Sequence, residues 1–143
     1  MKIIQLVIFS MLFLTAFKGQ EATKINDVTV VKNKIEIIDF YTTHRCKTCL
    51  KIESNTKNLL QTAYKKEMKA GKITFRTINI DKKENYAIAE RFEAAGTALF
   101  INVIKNGKET HIDLTDFAFM KAFNDKEFAT ELKAKIDKQL KTL

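Results

Sequence analysis

The stretch from Ile35 to Ile52, IEIIDFYTTHRCKTCLKI, limits what this chain can fold into more than any other. A short apolar run ends in a polar turn, and the turn delivers Cys46 and Cys49 to the start of an amphipathic segment. These are the only two cysteines among 143 residues, and two residues separate them. A strand feeding a helix through a short turn is the repeating junction of an α/β sheet. Two thiols at that spacing, the first at a helix N-terminus, can pass between dithiol and disulfide. The helix dipole favours a thiolate there and lowers its pKa. The residues therefore point to a thiol–disulfide redox pair.

The rest of the chain supplies a sheet and its covering helices. Ile35 to Tyr41 is apolar on both alternating faces, as in a central strand. Asp39 interrupts it, either as a polar strand-end residue or as a carboxylate buried beneath the thiols. Helical spacing from Cys46 to about Met68 places Cys49, Ile52, Thr56, Leu59, Leu60 and Ala63 on one face, and Gly71 stops the helix. Ile73 to Ile80 alternates as a strand closed by Asp81, and Glu84 to Phe92 reads as a short helix. Leu99 to Ile104 is a further apolar strand. Asn106-Gly107 is a two-residue hairpin turn, and Lys108 to Leu114 returns as the partner strand. Asn124 with Glu127 forms a capping-box pattern ahead of Phe128, Leu132, Ile136 and Leu140, which recur every four residues as in a C-terminal amphipathic helix. The order β, α, β, α, β, β, α predicts an α/β fold with a central mixed sheet flanked by helices on both faces.

The N-terminus reads differently. One lysine precedes a mostly apolar run from Ile3 to Phe17, too short for a comfortable membrane span and suited to a signal-peptide core. The expected organisation is a signal peptide over 1–19, a lead-in with a short strand at Val28 to Val31 over 20–34, and the folded domain over 35–143. A mature chain starting near Gln20 would be exported, periplasmic or secreted, with no membrane insertion once the leader is gone. Disulfides persist in such compartments. Without Lys2 and Lys18, 23 basic residues face 17 acidic ones, a net +6. The charges interleave along the chain as on a solvated surface, and no nucleic-acid-binding motif accompanies them.

The chain resembles the thioredoxin-like family of thiol–disulfide oxidoreductases. Ile38-Asp39-Phe40-Tyr41 looks like the family's strand before its Cys-x-x-Cys, and Asn79-Ile80-Asp81 looks like the next strand's end. Gly96-Thr97-Ala98 sits where the family has its glycine and cis-proline loop, and Ile104-Lys105-Asn106-Gly107 looks like its last hairpin. The similarity covers roughly Ile35 to Lys141 and implies a thioredoxin-like fold and a protein-disulfide oxidoreductase. The implied partners are client thiols or disulfides and an upstream redox partner, with no cofactor beyond the pair itself. The departures are specific. The loop before Cys46 is one residue longer than in thioredoxin, His44-Arg45 replaces the usual tryptophan, and Lys47-Thr48 replaces Gly-Pro. The chain has no proline at all, so Thr97 or Ala98 stands in the substrate-groove loop, joined by a trans bond.

A free cysteine has a pKa of about 8.5, and a helix N-terminus with neighbouring cations brings it to roughly 3.5–7.5. Arg45 and Lys47 flank Cys46, and His44 is two residues away. Cys46 is thus the expected nucleophile, Cys49 the resolving thiol, and His44, Arg45 and Lys47 the groups that tune the pKa. Asp39 is the candidate for proton transfer with Cys49, as the family's carboxylate is. Three competitors use the same residues. A stabilising disulfide across so short a loop contributes only about 2 kcal/mol. A Cu(I) or zinc carrier would use the two thiolates as soft ligands. A catalytically quiet binding module would keep the fold without the chemistry.

Overall fold

A computed structural model of the chain describes residues 33–143. The expected leader and the strand at Val28 to Val31 lie outside the described residues. The elements are β1 (Lys34–Tyr41), α1 (Lys47–Ala63), α2 (Lys65–Lys69), β2 (Ile73–Asn79), a 3-10 turn (Lys83–Asn85) running into α3 (Tyr86–Arg91), β3 (Ala98–Lys105), β4 (Lys108–Asp113), α4 (Thr115–Lys121) and α5 (Asp125–Leu140). Among the described residues no helix is long and apolar enough to cross a membrane.

The sheet runs β2-β1-β3-β4, so β1 is paired on both edges. β2 lies parallel to β1, which requires a helical crossover, while β3 and β4 are antiparallel to their neighbours. The β3–β4 turn is Asn106-Gly107, with φ of 51° and 76°. Asparagine and glycine tolerate that left-handed pair, which suits a two-residue hairpin. The fold is therefore the expected thioredoxin-like mixed sheet flanked by helices.

Strand alternation sorts β1 onto two cores. Ile35 and Ile37 pack with Ile73, Leu99, Ile101 and Val103 under α1, α4 and α5, where Ile52, Leu60, Phe128, Leu132 and Ile136 are buried. Ile38 and Phe40 face the other way, against Ile78, Phe92, Ala94 and Phe100. There Phe40, Phe92 and Phe100 form a ring of aromatic contacts with centroids 5.3–5.8 Å apart. Asp39 shares the side of Ile35 and Ile37, so the strand presents its one carboxylate to the α1 side.

Three features depart from the sequence reading. The long helix breaks at Tyr64, whose φ of −125° is not helical. Tyr64 is buried, and its hydroxyl donates to the Lys133 carbonyl and the Asp137 carboxylate on α5. A tertiary anchor thus overrides a segment of good helix formers. Ala63, one residue before the break, is exposed, and Asn55 takes a buried place instead, donating to the Ala122 carbonyl. The segment after β4 contains α4, which buries Phe117 and Ala118. Leu114 donates its N–H to the Leu99 carbonyl as that helix begins.

Asn124 caps α5 as its sequence pattern indicates, accepting from the Glu127 N–H at 3.2 Å. The reciprocal half of the box is absent, because the Glu127 carboxylate pairs with Lys121 and the Asn124 N–H donates to the Lys121 carbonyl. Asn124→Ala should lower the unfolding free energy by about 1 kcal/mol. Leu132→Ala, in the α5 core, should lower it by about 2–5 kcal/mol. Urea denaturation of the oxidised protein compares them, and equal small losses would contradict the packing of α5.

Candidate functional site

The end of β1 opens into the loop Thr42–Arg45, which is tied to the end of β2. The Thr43 N–H donates to Asp81 Oδ2 at 2.7 Å, and Asn79 Nδ2 donates to Thr43 Oγ1 at 3.1 Å. The Ile80 N–H donates to the Tyr41 carbonyl. These bonds account for the Asn79-Ile80-Asp81 strand end in local terms: it holds the loop that carries the thiols. His44 is exposed on this loop, within electrostatic reach of Asp81.

Cys46 is the N-cap of α1, in extended backbone, and its carbonyl accepts the first helical bond from Leu50. Its Sγ accepts from the Cys49 N–H at 3.2 Å, using one of the donors that a helix N-terminus leaves unpaired. The two cysteines form a disulfide across Cα atoms 5.2 Å apart. Cys46 is exposed, whereas Cys49 is only 6% exposed. No acidic residue occupies the first turn of α1, and Lys47 lies there on the surface. The helix end is therefore positive where a Cys46 thiolate would form on reduction.

Beneath this turn the Asp39 side chain is fully buried. Arg45 folds back from the loop onto it. One guanidinium nitrogen lies 3.1 Å from Asp39 Oδ2 and also donates to the Cys49 carbonyl at 3.3 Å. The other terminal nitrogen pairs with Glu53 of α1, which also pairs with Lys57. The guanidinium carbon sits 4.5 Å from the centre of the Tyr41 ring. Asp39 Oδ1 is buried with no hydrogen-bond partner. Burial pushes the Asp39 carboxyl up to about 7, with the Arg45 charge opposing the rise and Glu53 adding to it. Glu53, despite its partial burial, is held below the usual carboxylate range by Lys57 and Arg45.

Of the candidate residues, the structure brings Cys46, Cys49, Asp39 and Arg45 together. Ala98 opens β3 opposite Phe40, one pair beyond Asp39 and Leu99, which sets the Gly96-Thr97 turn at the same end of the sheet. Its bond to Thr97 is trans, as expected. Glu53 escaped the sequence reading, because a glutamate four residues before a lysine looks like an ordinary surface pair. The nearest signal was the Glu53–Lys57 spacing itself, which places an acid on α1 two turns after Arg45. His111 lies on β4, stacked on Phe92 at 3.8 Å, away from the thiols on the opposite core. Among the described residues no group of three or more His, Cys, Asp or Glu side chains is arranged to hold a metal ion.

Fold and site together define a thioredoxin-like domain with a Cys-x-x-Cys disulfide at its first helix. Comparisons with solved structures give similar chains. Mitochondrial thioredoxin 3 from Saccharomyces cerevisiae is 25% identical, at a TM-score of 0.42, over 66% of this chain and 80% of that one. A thioredoxin from Thermus thermophilus is 16% identical, at 0.40, over 55% of this chain and 58% of that one. Thioredoxin-2 of a malaria parasite, a component of that parasite's protein secretion machinery, is 18% identical, at 0.37, over 57% and 71%. No protein-family model matches the chain, and no curated protein does.

The raised Asp39 carboxyl carries a pH signature. An unfolded aspartate titrates near 3.9, so the folded protein favours the protonated form. That contribution to stability is complete below about pH 4 and is lost as pH rises through about 7. Asp39→Asn removes the titration. Between pH 4 and 7.5 the variant should gain roughly 3–4 kcal/mol relative to the unsubstituted oxidised protein. Parallel stability curves across that range would show that Asp39 titrates normally.

Proposed function

We propose that this protein is an exported thiol–disulfide oxidoreductase working through Cys46 and Cys49. The observation that carries the reading is the asymmetry of the pair. Cys46 is exposed and caps α1, while Cys49 is buried and its backbone carbonyl accepts from the same Arg45 nitrogen that holds Asp39. An attacking thiolate must be reachable and stabilised, and a resolving thiol must be kept from solvent until the mixed disulfide forms.

In the reducing direction the Cys46 thiolate attacks one sulfur of a client disulfide. A Cys46–client disulfide forms, and the other client sulfur leaves as a thiolate that takes a proton from water. Cys49 then gives its proton to the Asp39 carboxylate and attacks Cys46 Sγ. The second client thiolate departs, two electrons have passed to the client, and the Cys46–Cys49 disulfide remains. An upstream dithiol partner restores the reduced pair. Run backwards, the same steps oxidise a client dithiol. The chemistry needs no cofactor beyond the pair, and Lys47 adds positive charge beside the attacking sulfur.

Cys49→Ser should accumulate mixed disulfides with glutathione or a protein dithiol, and Cys46→Ser should not. Non-reducing electrophoresis and intact mass read both. If alkylation at pH 6 labels Cys49 faster than Cys46 in the reduced protein, the roles are reversed. Equilibration with glutathione or with a dithiol gives the potential, and a pair that neither opens in the folded protein would be a structural staple rather than an exchange catalyst. Intact mass of the exported chain should place its start near Gln20, and a full-length, membrane-retained species would overturn the export reading.

A further inference from the structure

The residue before the first cysteine has a placement that the exchange scheme does not use. Arg45 is next to Cys46 in the chain, yet both terminal nitrogens of its guanidinium are committed elsewhere: to Asp39, to the Cys49 carbonyl and to Glu53. Only 15% of its side-chain surface is exposed, and the Tyr41 ring covers one face. A guanidinium so held gives geometry as well as charge, because its planar fork fixes the oxygens it binds. It also ties Asp39 and the first turn of α1 to the same nitrogen.

We propose that Arg45 is a positioning residue for the exchange, orienting the buried Asp39 carboxyl under the first turn of α1 and favouring its charged form, with Glu53 limiting how strongly it does so. This rests on the exchange chemistry proposed above. The groups that face Asp39 support it from every side. Its strand neighbours, Thr77 on β2 and Leu99 on β3, carry no charge. The loop contributes Arg45, and α1 contributes Glu53 and Lys57. Arg45 is thus the one cation in direct contact with the carboxylate among the described residues, and it occupies only Oδ2. Oδ1 is left buried and without a partner, open to receive a proton. Glu53 draws on the same guanidinium from its other side and repels Asp39 directly. With Asp39 ionised, the group Asp39, Arg45, Glu53 and Lys57 carries two charges of each sign, and with Asp39 protonated it is left with one excess positive charge.

The scheme makes two substitutions act in opposite directions, which a packing role does not. The Asp39 carboxyl is followed by carbon-13 NMR in the oxidised protein, which needs no turnover. The pH profile of glutathione release is followed by stopped flow from the Cys46–glutathione mixed disulfide. Arg45→Met should move both midpoints upward by about one to three pH units. Arg45→Lys should recover part of the shift. Glu53→Gln should move both midpoints downward. An Arg45→Met protein that slows release equally at every pH, with both midpoints unmoved, would make Arg45 a packing residue and overturn the proposal. If Arg45→Met does not fold, Glu53→Gln decides alone, and an unchanged or upward midpoint overturns it. If the unsubstituted protein releases no glutathione at any pH, the exchange reading itself fails and takes this inference with it. Normal release with an immobile Asp39 midpoint in the variants overturns the inference and leaves the exchange reading standing.

Discussion

A carboxylate buried in the central strand is the constraint to which the site end of this molecule answers. Taking Asp39 out of water is costly unless a counter-charge goes with it. The strand cannot supply one, since its neighbours in the sheet at that level are Thr77 and Leu99. The cation comes instead from the loop above, through Arg45. The loop must therefore return over the strand end, and its bonds to Asn79 and Asp81 hold it there. The position of Cys46 at the start of α1 follows from that return. Disulfide, loop and carboxylate form one mechanical unit, assembled from β1, the end of β2 and the first two turns of α1.

Parts of this arrangement were legible from local chemistry. Asn106-Gly107 requires a tight hairpin because few other pairs accept two left-handed residues in succession. Asn124 reads as a cap because its side chain can replace a missing helical acceptor. The Cys-x-x-Cys after an apolar strand implies a β-to-α junction. What stayed hidden depended on partners distant in sequence. Tyr64 breaks a helix through an anchor on α5, and nothing in its own neighbourhood signals that. The helix α4 lacks a strong periodic stripe and is secured by the edge of β3 and by α5. Arg45 shows the same limit at the site. Beside Cys46 in the chain it reads as a charge for the thiol, but its side chain is long enough to reach under the turn instead.

The absence of proline has a structural counterpart at the Gly96–Ala98 turn. Ala98 enters β3 directly and pairs with Phe40, so the strand begins one step from the level of Asp39. A proline there would lack the N–H that strand pairing can use. The chain has unbroken β1–β3 pairing in the middle of the sheet up to Ala98, next to the position where the resemblance implies a glycine and cis-proline loop. The buried Ala98 also packs into the aromatic core of Phe40 and Phe100, which couples the turn to the far side of the sheet from the thiols.

The strand pairings also set an order of events during synthesis. Cys46 and Cys49 emerge together, and closing a ring so small requires nothing from the rest of the chain. The floor of the site is different. Asp39 loses its water only after α1 has formed, β2 has been laid alongside, and Leu99 has arrived in β3. A nascent chain can therefore carry the complete disulfide while its carboxylate is still hydrated and unpaired. In that interval the disulfide behaves as in an unfolded peptide. The chemistry specific to this protein begins once the segment from β1 to the start of β3 has been made and packed.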